Sequence, residues 1–402
     1  MRPNLPMFLS QISNHYTRHT TFTAVALGAI TAGFVAFAQP THALDTPASH
    51  VYLVDTTTGA VLMDKQGDIP MAPASMSKLM TLYMVFERLQ DGRLSLDDKF
   101  YVSENAWRKG GAKTGGSTMF LEPSMRVRVE DLIRGIIVQS GNDACIVVAE
   151  ALSGSEEAFA TEMTDKAREL GMMDSTFKNS TGWPNPEHRV SSRDLAKLAQ
   201  LTIEQFPEFY HYYSEETFVY NGIKQSNRNP LIYKGMGADG LKTGHTQESG
   251  YGLTASAGRK DRRLVLVVNG LSSKKMRSTE SERLLEWGFR EFGNYELFKA
   301  GDVVTDASVW LGQKGSVPLI VENDLTLTLP KKVRHKMKVT AKFEGPVPAP
   351  ISKGQHLGTL SISAPNTDTI EVPLLAGNSV SQLGMMGRLG AALDYILWGS
   401  SQ

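Results

Sequence analysis

Between Ser75 and Gln90 the chain places Met76, Leu79, Met80, Leu82, Met84, Val85, Phe86 and Leu89. Wound as a helix, this run is apolar on nearly every side, and such a helix belongs in the middle of a core. It therefore demands enclosing layers. The 402 residues suffice for two domains, one of them with a large core. Pro70 and Pro73 stand just ahead and predict a start near Ser75. That start also carries chemistry. Ser75 and Lys78 are three apart, so on a helix they share a face and the amine reaches the hydroxyl. Orphan N–H groups and the positive dipole end of the helix suit a developing oxyanion there.

Ser-x-x-Lys is a weak pattern alone, and it recurs at Ser175–Lys178 and Ser272–Lys275. Only Ser75 opens an apolar helix; Ser272 sits in a polar turn and Ser175 lies beyond the Gly171 break. Two further motifs repeat in the same way. Ser103-Glu104-Asn105 reads as a loop or cap, whereas Ser140-Gly141-Asn142 falls at the bend between helices expected over 129–139 and 143–152. Lys113-Thr114-Gly115 lies in a glycine-rich loop, whereas Lys242-Thr243-Gly244 precedes a strand at Tyr251 and can lie along a sheet edge. The selected trio, in chain order, offers a hydroxyl within reach of an amine, a second hydroxyl beside an amide, and a further amine on a sheet edge, groups suited to nucleophilic catalysis.

Strands are expected at 50–55, 60–63, 251–257 and 263–269, and Thr279-x-x-Glu282 reads as a capping box that opens a closing helix with Leu284, Leu285, Trp287 and Phe289. Early strands, a helical middle and late strands predict an α+β domain, an antiparallel sheet covered by helices. Its expected span is 44–298. From 299 to 378 short strand-like runs separated by Pro, Gly and Asn predict a small all-β domain. Residues 379–402 place Leu383, Met386, Leu389, Leu393, Ile396 and Leu397 at helical spacing. This segment reads equally as a helix docked on the β-domain or as an amphipathic helix in a membrane interface.

At the other end, Arg2 and Arg18 precede an apolar run over 23–38, and no acidic residue occurs before Asp45. Residues 1–43 have the layout of a secretory signal peptide, with Thr41-His42-Ala43 or Ala36-Phe37-Ala38 at the cleavage site. An uncleaved anchor is the alternative, although the run is short for a span. Lys and Arg total 42, as do Asp and Glu, which gives no reason to expect nucleic acid. The single Cys145 excludes an internal disulfide and a multi-thiolate zinc site, and neither metal nor cofactor is expected. Export without disulfides points to a bacterial envelope.

Longer stretches carry a resemblance. In Ala72-Pro73-Ala74-Ser75-Met76-Ser77-Lys78, Gln139-Ser140-Gly141-Asn142-Asp143-Ala144-Cys145, Asp239-Gly240-Leu241-Lys242-Thr243-Gly244-His245-Thr246, Asn227-Arg228-Asn229 and Leu285-Glu286-Trp287-Gly288-Phe289, the chain resembles the low-molecular-mass penicillin-binding proteins of the serine-type D-alanyl-D-alanine carboxypeptidase family. The resemblance implies a β-lactamase/transpeptidase-like domain and a periplasmic enzyme, peripheral on the inner membrane. Its substrate would be a peptidoglycan stem peptide ending in D-Ala-D-Ala, and its covalent inhibitors β-lactams. Ser75 would be the nucleophile, Lys78 the base (depressed by Lys242 or by burial) and Ser140 the relay. Asn142 would hold the substrate backbone. The N–H groups of Ser75 and His245 would form the oxyanion hole. Lys242, Thr243, Gly244 and Arg277 would receive the terminal carboxylate, with Arg228 a further candidate. Cys145 is expected to be a buried small side chain. The family often has a histidine before a glycine where this chain has Thr181-Gly182. Competing functions are a D,D-endopeptidase or β-lactamase on the same machinery, and a non-catalytic envelope binding protein. For a β-lactamase, Glu187 lacks the Glu-x-x-x-Asn context.

Overall fold

The computed structural model describes residues 44–365 and 367–390. The expected signal peptide lies outside the described residues, as does the end of the terminal helix. The chain divides into one unit ending at Phe292 and another beginning at Gly293, ahead of the composition change near residue 299.

The first unit is built on a five-stranded antiparallel sheet. Its strands are β1 (His50–Asp55), β2 (Ala60–Lys65), β3 (Ala238–Thr246), β4 (Gly250–Arg259) and β5 (Arg262–Leu271), in the order β2-β1-β5-β4-β3. Side chains alternate across a strand, and both faces are used. Val265 and Val267 of β5 join one core with the helical middle of the chain, while Leu264, Leu266 and Val268 join another with Leu284 and Leu285. The helices are α1 (Lys78–Gln90), α2 (Asn142–Ser153), α3 (Glu156–Glu169), α4 (Ser192–Gln205) and α5 (Lys274–Glu291). Every residue of α1 from Lys78 to Phe86 is buried, as its all-round apolar pattern requires.

Three local features differ from expectation. Ser75 does not sit in the α-helix; it lies in a 3₁₀ turn, Ala74–Ser77, that feeds into α1. The bend before α2 contains a π-helical turn, Gly135–Gln139, followed by Ser140 in a left-handed conformation at φ 65°. The closing helix starts at Lys274, with Ser273 as its N-cap accepting from the Met276 N–H, so Thr279 and Glu282 lie inside it. A Ser with no acidic residue three positions on is a fainter signal than a complete box, yet it caps the helix.

The second unit is all-β. A six-stranded sheet combines β7 (Val303–Trp310), β8 (Ser316–Ile320), β10 (Lys338–Phe343), β11 (Val347–Pro348), β12 (His356–Ser363) and β13 (Ile370–Ala376), in the order β10-β12-β13-β8-β7-β11. A separate pair joins β6 (Phe292–Phe298) to β9 (Leu325–Pro330). Val317, Leu319, Leu360, Ile362 and Leu374 fill its core. Sequence reading missed β7, whose Asp306 and Ser308 interrupt the apolar pattern on its exposed side. Past β13 the described chain ends in helix over 385–390, with Met385, Met386 and Leu389 exposed. No helix among the described residues is long and apolar enough to cross a membrane.

Candidate active site

The rival motifs separate at once. Ser103 caps a short helix by accepting from the Ala106 N–H, and Ala112–Thr114 is an exposed 3₁₀ turn. Ser175 donates to Asp194, and Lys178 pairs with Glu187 on the surface. The selected trio converges.

In a 3₁₀ turn residues i and i+3 eclipse, and the Lys78 Nζ lies 2.8 Å from the Ser75 Oγ. Ser75 is partly exposed; Lys78 is fully buried. Two more oxygens surround the same nitrogen, the Asn142 Oδ1 at 2.8 Å and the Thr181 carbonyl at 2.6 Å. Burial is the main force on this amine and lowers its pKa to about 8; Cys145 opposes the shift and the Arg228 charge adds to it. Lys242, fully buried on edge strand β3, is held well below the usual lysine range, first by burial and then by the Lys78 charge. Of the two expected causes burial leads for Lys78, and the Lys78 charge acts in turn on Lys242.

Ser140 is buried, and its Oγ has no hydrogen-bond partner among the described residues. Asn142, at the start of α2, spends its Oδ1 on Lys78. Among the described residues Lys242 has only a long contact to the Thr243 carbonyl, 3.4 Å, and Thr243 is buried beside it. Gly244 lets β3 approach the serine turn, because a Cβ there would stand 2.8 Å from the Pro73 carbonyl oxygen. His245 is exposed and stacks on Tyr251 with ring centroids 3.8 Å apart. Arg277, in the first turns of α5, is buried with its Nε unpartnered among the described residues, and burial lowers its pKa to about 10. Its guanidinium carbon lies 5.8 Å from the Tyr251 ring. Arg228 donates to the Ser117 Oγ. The Ser75 hydroxyl and its depressed amine thus share the site with Lys242 and Arg277, buried basic groups with no acidic partner among the described residues.

The profile of the D-alanyl-D-alanine carboxypeptidase family matches residues 37–273, more than half of the chain. The chain belongs to this family. A second profile, penicillin-binding protein 5, C-terminal domain, matches residues 292–382. D-alanyl-D-alanine carboxypeptidase DacD of Salmonella typhimurium is 38% identical over 90% of this chain and 93% of its own length. Among solved structures, penicillin-binding protein 5 from Haemophilus influenzae is 35% identical, with TM-score 0.73, over 85% of this chain and 100% of its own. The carboxypeptidase DacD from Francisella tularensis is 30% identical, with TM-score 0.77, over 87% and 97%. The chain is a serine-type peptidase with the penicillin-binding-protein fold.

In this carboxypeptidase three contributions escaped sequence reading. Thr181 serves Lys78 through its main-chain oxygen, so the residue that replaces the family's histidine leaves that contact intact. Gly182, at φ 81°, packs on the serine turn, where a Cβ would lie 1.9 Å from the Ala74 carbonyl oxygen. Asp143 is buried and accepts from the Thr118 hydroxyl and the N–H groups of Met119 and Leu121, tying the 117–121 segment to α2. None has a residue-type signature for its role. Asp194, at the start of α4, accepts from the Ser175 hydroxyl and from the Asp174 N–H. Cys145 is buried, and burial pushes its thiol up to about 12, which leaves it inert.

Proposed function

We propose that Ser75 attacks the carbonyl carbon between the two terminal D-alanines of a peptidoglycan stem peptide. The observation that carries this reading is the trio of oxygens around the Lys78 nitrogen. A neutral amine has two N–H donors and one lone pair. Asn142 and Thr181 take the donors, which leaves the lone pair for the Ser75 hydroxyl proton. Lys78 accepts that proton as the Ser75 Oγ bonds to carbon, and the C–N bond then breaks. D-alanine departs once its nitrogen is protonated, by way of Ser140. Water, deprotonated in turn at Lys78, hydrolyses the ester and restores the hydroxyl.

The N–H groups of Ser75 and His245 are assigned to the oxyanion. Lys242, Thr243 and Arg277 are assigned to the terminal carboxylate, with Gly244 allowing the close approach and Arg228 adding positive potential. The anion would favour the protonated form of Lys242 and give these basic groups an acidic partner. The Asn142 amide nitrogen is the group left to meet the substrate backbone. A relative named as a penicillin-binding protein supports β-lactam acylation of the same Ser75. Against fast turnover of such an ester, Glu187 is exposed and engaged with Lys178.

Supplying a diacyl-Lys-D-Ala-D-Ala peptide tests the reading. Release of free D-alanine, absent in Ser75→Ala, is expected; equal product from wild type and Ser75→Ala would overturn it. Residues 1–43 are proposed to direct export to the periplasm. The proposed domains are 44–298 for catalysis and 299–378 for the β-domain, with 379–402 as a peripheral membrane contact.

A further inference from the structure

The Thr181 carbonyl that faces Lys78 belongs to a short loop with almost no secondary structure of its own, and one side chain organises it. The Asn179 Oδ1 accepts from the Gly182 N–H at 2.7 Å, the Trp183 N–H at 3.0 Å, the Thr181 hydroxyl at 3.1 Å and the Thr181 N–H at 3.3 Å. Its Nδ2 donates back to the Trp183 carbonyl at 3.1 Å. The donors all meet one end of the amide and the acceptor the other, which fixes its orientation. Residue 180 is pinned separately. Its hydroxyl donates to the buried Glu156, and its carbonyl accepts from the Thr81 hydroxyl on α1. Gly182 then rests against the carbonyl of Ala74, the residue before the nucleophile.

We propose that Asn179 is a positioning residue for the Ser75–Lys78 pair, acting through the Thr181 main-chain oxygen that it holds in place. The inference rests on reading Lys78 as the base. A backbone carbonyl in a loop has no fixed direction unless its neighbours impose one, and among the described residues the only side chain that bonds to residues 181, 182 and 183 alike is Asn179. With that carbonyl in place, one amine N–H is committed to Thr181 and a second to Asn142, and the lone pair points at Ser75. With it displaced, the amine turns freely and the near-attack geometry is lost.

Acylation by a fluorescent penicillin, followed across pH for the full chain, tests this together with thermal unfolding. Asn179→Ala removes the hub and is expected to lower the plateau acylation rate per folded molecule by about 10²-fold. Asn179→Asp keeps the accepting oxygen, so its plateau should stay within about tenfold of wild type. Its added negative charge favours the ammonium of Lys78 and should move the acidic limb of the profile upward by about half to one pH unit. A merely structural role would lower the melting temperature of both variants, leaving plateau rate and acidic limb where wild type has them, and that result overturns the proposal. If Asn179→Ala does not fold, an unmoved limb in Asn179→Asp overturns it equally. Wild type that is not acylated at Ser75 at all would instead overturn the reading of the site.

Discussion

As the proposed base, Lys78 acts only without its proton. With its pKa at about 8, the neutral fraction and hence the acylation rate should rise with pH and level off above about 9. A pH–rate profile flat from pH 6 to 9 would contradict this. The same depression has a stability consequence. The unfolded chain binds a proton at this lysine up to about pH 10.4, the folded one only to about 8, so unfolding takes up a proton between those values. Stability from this group therefore rises with pH across that window, by about 3 kcal/mol, and its full cost is felt below pH 8. Thermal melts at pH 8 and pH 10 should show a larger gain in wild type than in Lys78→Met, where the depressed Lys242 still contributes. Residue identity made the Ser75, Lys78, Asn142 and Lys242 cluster legible, because hydroxyl, amine and amide have distinct reach and chemistry. The Thr181 oxygen was not legible, since any residue can offer a carbonyl and only the path of the chain aims it.

Elements bring those residues together, and glycines set how closely. Gly182 and Gly244 flank the serine turn from a loop and from β3, and neither position has room for a Cβ. Gly182→Ala would also force a side chain onto a left-handed backbone. We expect it to destabilise by about 2–4 kcal/mol and to cut acylation at least tenfold, read by denaturant unfolding and by penicillin labelling. Gly244→Ala has an ordinary backbone angle, so a smaller stability loss with a comparable rate loss is expected. Equal, wild-type rates in both would show that the turn tolerates displacement. The apolar pattern of α1 was strong enough to place it in the core from sequence. Where several signals compete within one turn, sequence failed: the 3₁₀ geometry at Ser75, the π-turn before Ser140 and the Ser273 cap each depend on tertiary packing that periodicity does not encode.

The whole chain joins a helix-covered sheet with an all-β unit, and both were visible in the switch from mixed periodicity to short alternating runs. Boundaries were less visible, because β6 carries apolar residues that serve the second core while reading as a continuation of α5. The exposed Met385, Met386 and Leu389 at the end of the described chain support membrane contact by the last segment. A chain ending at Asn378 should keep D-alanine release within twofold while losing sedimentation with phospholipid vesicles; undiminished vesicle binding would contradict that role. One measurement reaches furthest into the mechanism. After brief exposure to a β-lactam, mass spectrometry of the digested protein should place the adduct on Ser75 in wild type, and Lys78→Met should slow its appearance by at least 10²-fold. An adduct on another residue, or one forming on Ser75 at an undiminished rate without Lys78, would contradict the proposed activation.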